Sequence, residues 1–192
     1  MAQPRLPALA SLAAATLKTL TGEELRAASL WASSPVLVFA VRRPGCVLCR
    51  DTAKQFWAAN EQFAAAGVKL VCVVHEWIDR EIAAFHTPEY WPGDIYFDAD
   101  KAFYKAFSED GQSVRTQSAL SLLNPFNAAW GRIRAANGRV AESNVAGDGT
   151  VLGGLLLLKA GEGGAAYMHA ERSFGEFPPV EEVVAAVKTA LA

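Results

Sequence analysis

Cysteine is scarce in this 192-residue chain: there are three, an odd number, and two of them stand three positions apart. That count does not build a secreted disulfide framework, whereas one reactive pair in a reducing compartment accounts for it. Histidine is equally rare. No second C-x-x-C or C-x-x-H accompanies the first, and Cys72, His75, His86 and His169 are scattered without the spacing of a zinc site. Long apolar runs are missing as well. The longest, residues 151–158, is strand-sized, far short of the roughly 18–20 residues of a membrane span. Charge of one sign is also lacking: a net charge of −2 gives no general reason to expect nucleic acid or an anionic membrane as partner. No repeat, linker or low-complexity tract divides the chain, so residues 1–192 are expected to form a single domain, with residues 1–14 as a flexible lead-in. Residues 1–17 are rich in Ala and Leu and free of acids, as in a transit peptide. They lack the arginines and the cleavage-like small-residue site that would complete one. The expected location is therefore cytoplasmic, with an organelle such as the chloroplast as the alternative.

What is present is an α/β pattern, in a chain that is 52% hydrophobic and 20% charged. Residues 16–20 read as an edge strand. Thr21 is a candidate N-cap for a helix running through Trp31, with Glu23 and Glu24 in its first turn. The run Val36–Val41 is a buried strand. After it a helical pattern extends to about residue 66, with Cys49, Ala53, Phe56 and Phe63 on one face. Residues 68–74 form a second buried strand carrying Cys72, read as an inert core thiol. A helix follows from His75 to about Phe85, then a strand over 94–98 and a short helix over 101–107. Residues 116–136 look helical but are broken at Asn124-Pro125. Residues 151–158 and 165–171 make a hairpin around a Gly-rich turn, and Pro178-Pro179 leads into a last helix through Leu191. Helices alternating with buried strands, closed by an antiparallel hairpin, point to an α/β sandwich around a mixed sheet.

The chemistry gathers in Arg42-Arg43-Pro44-Gly45-Cys46-Val47-Leu48-Cys49-Arg50, which joins a buried strand to a helix. A cysteine at a helix N-terminus meets unpaired N–H groups and the positive end of the macrodipole, both of which favour its thiolate. Arg42, Arg43 and Arg50 add positive charge nearby. Each unit of pKa depression requires about 1.4 kcal/mol, the size of a favourable helix-end interaction. Cysteines at i and i+3 lie close enough for a disulfide with little backbone movement. Cys46 is therefore the candidate nucleophile and Cys49 the candidate resolving thiol. His75 and Glu76 read as a solvated loop pair rather than a proton relay, and Asp51 as helix-end charge. Phe103, Tyr104, Phe107, Phe126 and Trp130 are core residues or, alternatively, the lining of an apolar groove.

This nine-residue stretch resembles the signature of the peroxiredoxin-like 2 proteins, a group that includes the prostamide/prostaglandin F synthases and is related to selenoprotein U. The resemblance extends through residues 17–20, Val73-Val74-x-Glu76, residues 97–104, residues 147–154 and Glu171-x-x-Phe174-Gly175. It implies a thioredoxin-like, peroxiredoxin-type three-layer sandwich with a central mixed sheet. It also implies thiol-dependent reduction of peroxides or lipid endoperoxides through a Cys46–Cys49 dithiol/disulfide cycle, an antioxidant or redox-regulating role. No cofactor is implied to be bound; electrons would come from thioredoxin or another dithiol donor, and ultimately NADPH. Gly153 and Gly154 are expected in the loop facing the sulfurs, letting backbone approach closely. Typical peroxiredoxins carry P-x-x-x-T-x-x-C, and here Phe39 and Arg43 occupy the proline and threonine positions. Fast hydrogen-peroxide turnover is thus less expected than thiol–disulfide chemistry. A general protein disulfide reductase and a non-catalytic thioredoxin-fold interaction module are the alternative functions.

Overall fold

A computed structural model describes residues 9–192; the first eight residues of the expected lead-in lie outside the described residues. Leu9–Ala13 (α1) is a short helix with Leu12 buried. β1 (Thr16–Lys18) and β2 (Glu24–Arg26) then form an antiparallel hairpin. This corrects the helix expected from Thr21. Gly22 turns the chain at a positive φ of 83°, the Thr21 hydroxyl bonds the Thr19 hydroxyl instead of capping, and Lys18 pairs with Glu24 across the strands. Only Ala27–Trp31 is helical there, as a 3₁₀ turn.

β3 (Val36–Val41) is buried at every position. A strand covered on both faces reads as an unbroken apolar run, and alternate side chains supply the two cores. Leu37, Phe39 and Val41 join α2 (Val47–Ala58), α3 (Asn60–Ala65), α4 (Asp79–Phe85) and α7 (Val180–Leu191) on one face. Val36, Val38 and Ala40 join α1, the 3₁₀ turn and α5 (Ala102–Ala106) on the other. The long helix expected after the cysteines is divided at Ala59, whose N–H bonds Phe56 O, a tighter i−3 bond. The helix expected from His75 begins four residues later, at Asp79.

The remaining strands are β4 (Lys69–Val74), β5 (Ile95–Phe97), β6 (Gly154–Leu158) and β7 (Ala165–Ala170). The seven-stranded sheet has the order β2-β1-β5-β4-β3-β6-β7, with β3, β4 and β5 parallel and the others antiparallel to their neighbours. This is the three-layer sandwich with a mixed central sheet. As the Asn124-Pro125 break implies, residues 116–136 divide into a 3₁₀ turn (Ala119–Leu123) and α6 (Ala129–Asn137). Among the described residues no helix is long and apolar enough to cross a membrane.

Candidate active site

Four strands end at one edge of the sheet, and the site lies there. β3 and β4 run parallel and in register, Val41 beside Val74, so the next residues, Arg42 and His75, emerge together. β6 begins and β7 ends at the same edge, bringing Gly153 and Glu171 alongside. Ligands of open α/β sheets gather at such carboxyl ends of parallel strands.

From Arg42 the chain turns through Arg43-Pro44-Gly45, closed by Cys46 N–H to Arg43 O at 3.0 Å, and enters α2 with Cys46 at its N-cap. Gly45 has an ordinary negative φ, so the need for glycine there is spatial. A Cβ would overlap Asn144 Oδ1 and stand 2.6 Å from Glu81 Oε2. The same need operates at Gly153, where a side chain would overlap the Ala40 carbonyl of β3, and at Gly154, where it would overlap His169 O. Gly153 thus lets the chain close against β3, and Gly154, inside β6, lets it close against β7; the backbone they admit is that of neighbouring strands.

The Arg42 guanidinium organises the centre. Nη2 donates to Cys46 Sγ at 3.0 Å, Nη1 donates to Gly149 O at 3.2 Å, and Nε stands 3.9 Å from Glu171 Oε1. The guanidinium carbon lies 4.5 Å from the centre of the Phe174 ring. Burial works against this cation, yet the two sulfurs and Glu171 outweigh it and hold the charge. Glu171 is itself 1% exposed and secured by the N–H groups of Gly153 (2.9 Å) and Gly175 (2.5 Å). Burial raises its pKa, while Arg42 and the two N–H groups oppose the rise.

The two thiols are pushed apart in acidity. The Cys49 thiol as donor, then Arg42, the Cys49 amide and Arg43, overcome burial and hold the Cys46 pKa well below the usual thiol range. Cys49 is driven well above it by the same contact with Cys46 and by burial. A coupled pair of this kind loses its first proton easily and its second with difficulty. This is the division of labour expected of a nucleophile and a resolving thiol. All three cysteines are unpaired here.

The supporting arginines separate into different roles. Arg43 donates to Val145 O at 2.8 Å while its charge still favours the Cys46 thiolate. Arg50, expected to stabilise the thiolate or shape the site, turns to Pro44 O (2.9 Å) and Glu142 O (2.6 Å), stands 3.8 Å from Glu81 and lies over the Tyr90 ring. It fastens the turn; a thiolate does not occupy it. His75 is buried rather than solvated. Its Nε2 bonds the Arg42 carbonyl at 2.9 Å, and a carbonyl only accepts, so that nitrogen carries the proton. Burial lowers its pKa and keeps it neutral. Asp51 is not merely helix-end charge, since it pairs with Arg139, just past the end of α6, through both oxygens at 2.7 Å. Cys72 is buried in β4, where desolvation holds its thiol well above the usual range.

Residues 139–150 lie over the centre as a strap. Its carbonyls accept from Lys54 (Arg139 O), Arg50 (Glu142 O), Arg43 (Val145 O) and Arg42 (Gly149 O), and Asn144 N–H donates to Gly45 O. The space left beside Arg42, Arg43, His75 and Ala146 is about 10 Å³, room for a single water. The aromatic groove is not formed: Phe103, Tyr104 and Phe107 are core, whereas Phe126 and Trp130 face outwards. Among the described residues no group of three or more His, Cys, Asp or Glu side chains is placed to hold a metal ion. Glu171 is the site residue that reading the chain did not single out; the motif Glu171-x-x-Phe174-Gly175 was the signal for it.

Known proteins are similar to this chain in sequence and in fold. The model of the AhpC/TSA antioxidant enzyme family matches residues 55–173, beginning just after the dithiol. Peroxiredoxin-like 2A of Mus musculus is 33% identical over 190 residues, spanning 98% of this chain and 83% of that protein. The Danio rerio protein of the same name is 34% identical over 179 residues, spanning 92% and 80%. Among solved structures, Xanthomonas campestris peroxiredoxin Q superposes with a TM-score of 0.64 at 15% identity, over 98% of this chain and 97% of that one. Peroxidoxin BcpB of Mycobacterium tuberculosis superposes with a TM-score of 0.58 at 12% identity, over 91% of each. The structural likenesses carry the fold, and the sequence likenesses, which span the dithiol, carry the family: the chain belongs to the peroxiredoxin-like 2 group of the AhpC/TSA antioxidant enzymes.

Proposed function

We propose that this protein is a thiol oxidoreductase that reduces the O–O bond of peroxides or lipid endoperoxides through a Cys46–Cys49 cycle. The observation that carries the reading is the Cys46 sulfur, 3.0 Å from Arg42 Nη2 and held as thiolate beside a protonated Cys49. The thiolate attacks one peroxide oxygen, the O–O bond breaks, and the second oxygen takes a proton, departing as water from hydrogen peroxide or as an alcohol from an organic peroxide. Hydrogen peroxide or a hydroperoxide leaves Cys46 as a sulfenic acid; an endoperoxide leaves it as a sulfenate ester, with the first hydroxyl released on the same molecule. Cys49 then attacks the Cys46 sulfur, its proton goes to the departing oxygen as water or alcohol, and a disulfide remains. Thioredoxin or another dithiol donor reduces that disulfide, with NADPH as the ultimate source of electrons. A reducing compartment suits such a cycle, and the proposed location is the cytoplasm, with an organelle such as the chloroplast as the alternative. Cys46 is buried, so substrate reaches its sulfur when surrounding chain, such as the strap over residues 139–150, moves aside. Arg42 and Arg43 then offer positive charge to the oxygen on which negative charge develops.

The test is NADPH consumption with thioredoxin and its reductase, offering hydrogen peroxide, an organic hydroperoxide and a prostaglandin endoperoxide in turn. Turnover with at least one of them, lost in Cys46→Ser, is expected; no turnover with any would overturn the reading. General protein disulfide reduction is the second reading. It is favoured by the absence of a hydroxyl at position 43, where Arg43 is tied to Val145 O. Reduction of insulin disulfides without any dependence on peroxide would decide for it. Cellular function that survives loss of Cys46 would point instead to a non-catalytic interaction module.

A further inference from the structure

Residues 116–131 contain no charged side chain, and the longer stretch 111–141 contains four arginines and no acid. In a chain of net charge −2 this is a local excess of positive charge that the total conceals. Leu120, Leu123 and Phe126 are 71%, 78% and 93% exposed, and Trp130 beside them is 36% exposed. Large apolar side chains so exposed and so close together mark an interaction surface.

Their exposure is built in. In the 3₁₀ turn Ala119–Leu123, residues three apart eclipse one another, so Leu120 and Leu123 project from the same side. Several polar groups of the segment bond one another locally. Ser118 Oγ caps Leu120 N–H, Asn124 Oδ1 accepts from Phe126 N–H, Asn127 Nδ2 donates to Ser121 O, and Trp130 Nε1 donates to Leu122 O. The result is a locally hydrogen-bonded knob with large apolar side chains turned out. The cations beside it are not neutralised: Arg132 donates to Phe174 O and Ser173 Oγ, and Arg134 to Trp130 O, all uncharged acceptors. Arg139 alone of these is consumed by a carboxylate, Asp51.

We infer that this knob, with Arg132 and Arg134 at its base, docks the protein on an anionic lipid bilayer surface. Leucine, phenylalanine and tryptophan enter the boundary between headgroups and acyl chains, while the arginines meet the headgroup phosphates and carboxylates. A polar protein partner would leave the apolar tip unmatched, and an uncharged apolar one would leave the arginines unmatched. The knob is fastened to the active site at both ends. Gln117 Oε1 accepts from Phe174 N–H and Arg132 donates to Phe174 O, and the Phe174 ring lies against Arg42. Docking therefore brings the dithiol edge of the sheet to the lipid–water boundary. Bilayer binding itself requires neither sulfur.

The experiment is co-sedimentation of the full chain with large vesicles of phosphatidylcholine alone and of phosphatidylcholine with about one-third phosphatidylserine. Wild-type protein is expected to pellet with the anionic vesicles, less so with the neutral ones, and less as salt is raised. Leu123→Glu/Phe126→Glu lowers anionic-vesicle binding roughly tenfold or more, and Arg134→Glu lowers it severalfold. Both sets of residues are exposed, so far-ultraviolet circular dichroism stays unchanged. Wild-type protein left in the supernatant with both vesicle types overturns the inference, and so does a double variant that pellets like wild type. A concentration-dependent dimer lost in the double variant, without vesicle binding, overturns it in favour of self-association. Binding measured on Cys46→Ser separates this result from the fate of the proposed reaction: docking persists there even if no substrate is ever turned over.

Discussion

The dithiol centre and the knob over residues 116–131 invert the usual distribution of side chains in opposite ways. At the centre, Arg42, Arg50 and Glu171 are buried and charged; on the knob, Leu120, Leu123 and Phe126 are apolar and exposed. In the first region each charge has a counterpart: Arg42 has Cys46 and Glu171, and Glu171 has two N–H groups besides. In the second, local hydrogen bonds shape the segment while large apolar side chains stay in water. Burial of charge is costly to disturb, whereas exposure of apolar surface is nearly free to disturb in the isolated protein. Structural variants should therefore separate the two regions sharply.

The largest effect is expected from Glu171→Ala. It leaves the buried Arg42 cation without its carboxylate and orphans the N–H groups of Gly153 and Gly175. Removing one member of a buried pair typically costs about 3–5 kcal/mol, readable as a shifted midpoint in urea unfolding. Stability close to that of wild type would mean that Glu171 does not balance Arg42. Next comes Gly45→Ala, which forces Asn144 and Glu81 apart at a cost of about 1–3 kcal/mol, by the usual magnitude of overpacking. Because Asn144 also bonds Gly45 O, this variant should loosen the strap, and Cys46 should react faster with a bulky thiol reagent. Slower reaction would show that the strap does not limit access.

The sulfurs supply a pH test of the same centre. The folded Cys46 pKa lies below that of an unfolded cysteine, about 8.5, so in the interval between them the unfolded chain binds more protons and stability rises with pH. The folded Cys49 pKa lies above the unfolded value, so beyond about pH 8.5 the folded protein binds more protons and stability falls. Reduced protein should thus be most stable near the unfolded cysteine value as far as these two groups are concerned, and Cys46→Ser should remove the rising limb. Arg42→Met should raise the Cys46 pKa and slow its alkylation severalfold at neutral pH, by loss of a charge-assisted hydrogen bond. An unchanged alkylation profile would assign the acidity to Cys49 and the helix end instead.

Local pattern revealed most of the framework and half of the site. β3, the cysteine pair at the start of α2 and the last helix were legible because each depends on neighbours in sequence: an unbroken apolar run, an i, i+3 spacing, a Pro-Pro entry. The hairpin of β1 and β2 was hidden because Thr21 with two following acids also describes a helix start, and only pairing with residues 16–18 decides between them. The contacts of Arg50 and the burial of His75 were not legible for a related reason. Their partners, the Glu142 carbonyl for one and the Arg42 carbonyl for the other, come from distant parts of the chain. Glu171 stood in the sequence only as part of the Glu171-x-x-Phe174-Gly175 motif, and its role emerges when the β6–β7 hairpin brings it to the edge where β3 ends.

The smallest effect is expected on the knob, and its smallness is informative. Phe126 is 93% exposed, so Phe126→Ser removes almost no buried surface, and the Asn124–Phe126 turn uses only the backbone N–H of residue 126. Stability in urea should stay within about 0.5 kcal/mol of wild type, while retention on a hydrophobic-interaction column falls. A residue with no structural duty that nevertheless keeps a large aromatic ring in water is accounted for by something outside the chain. If the substitution instead destabilises the protein as strongly as Gly45→Ala, the ring packs against the fold in solution. The contrast between a buried charged centre and an outward apolar knob would then fail on the knob's side alone, since the charges at Arg42 and Glu171 are balanced whether or not the knob docks.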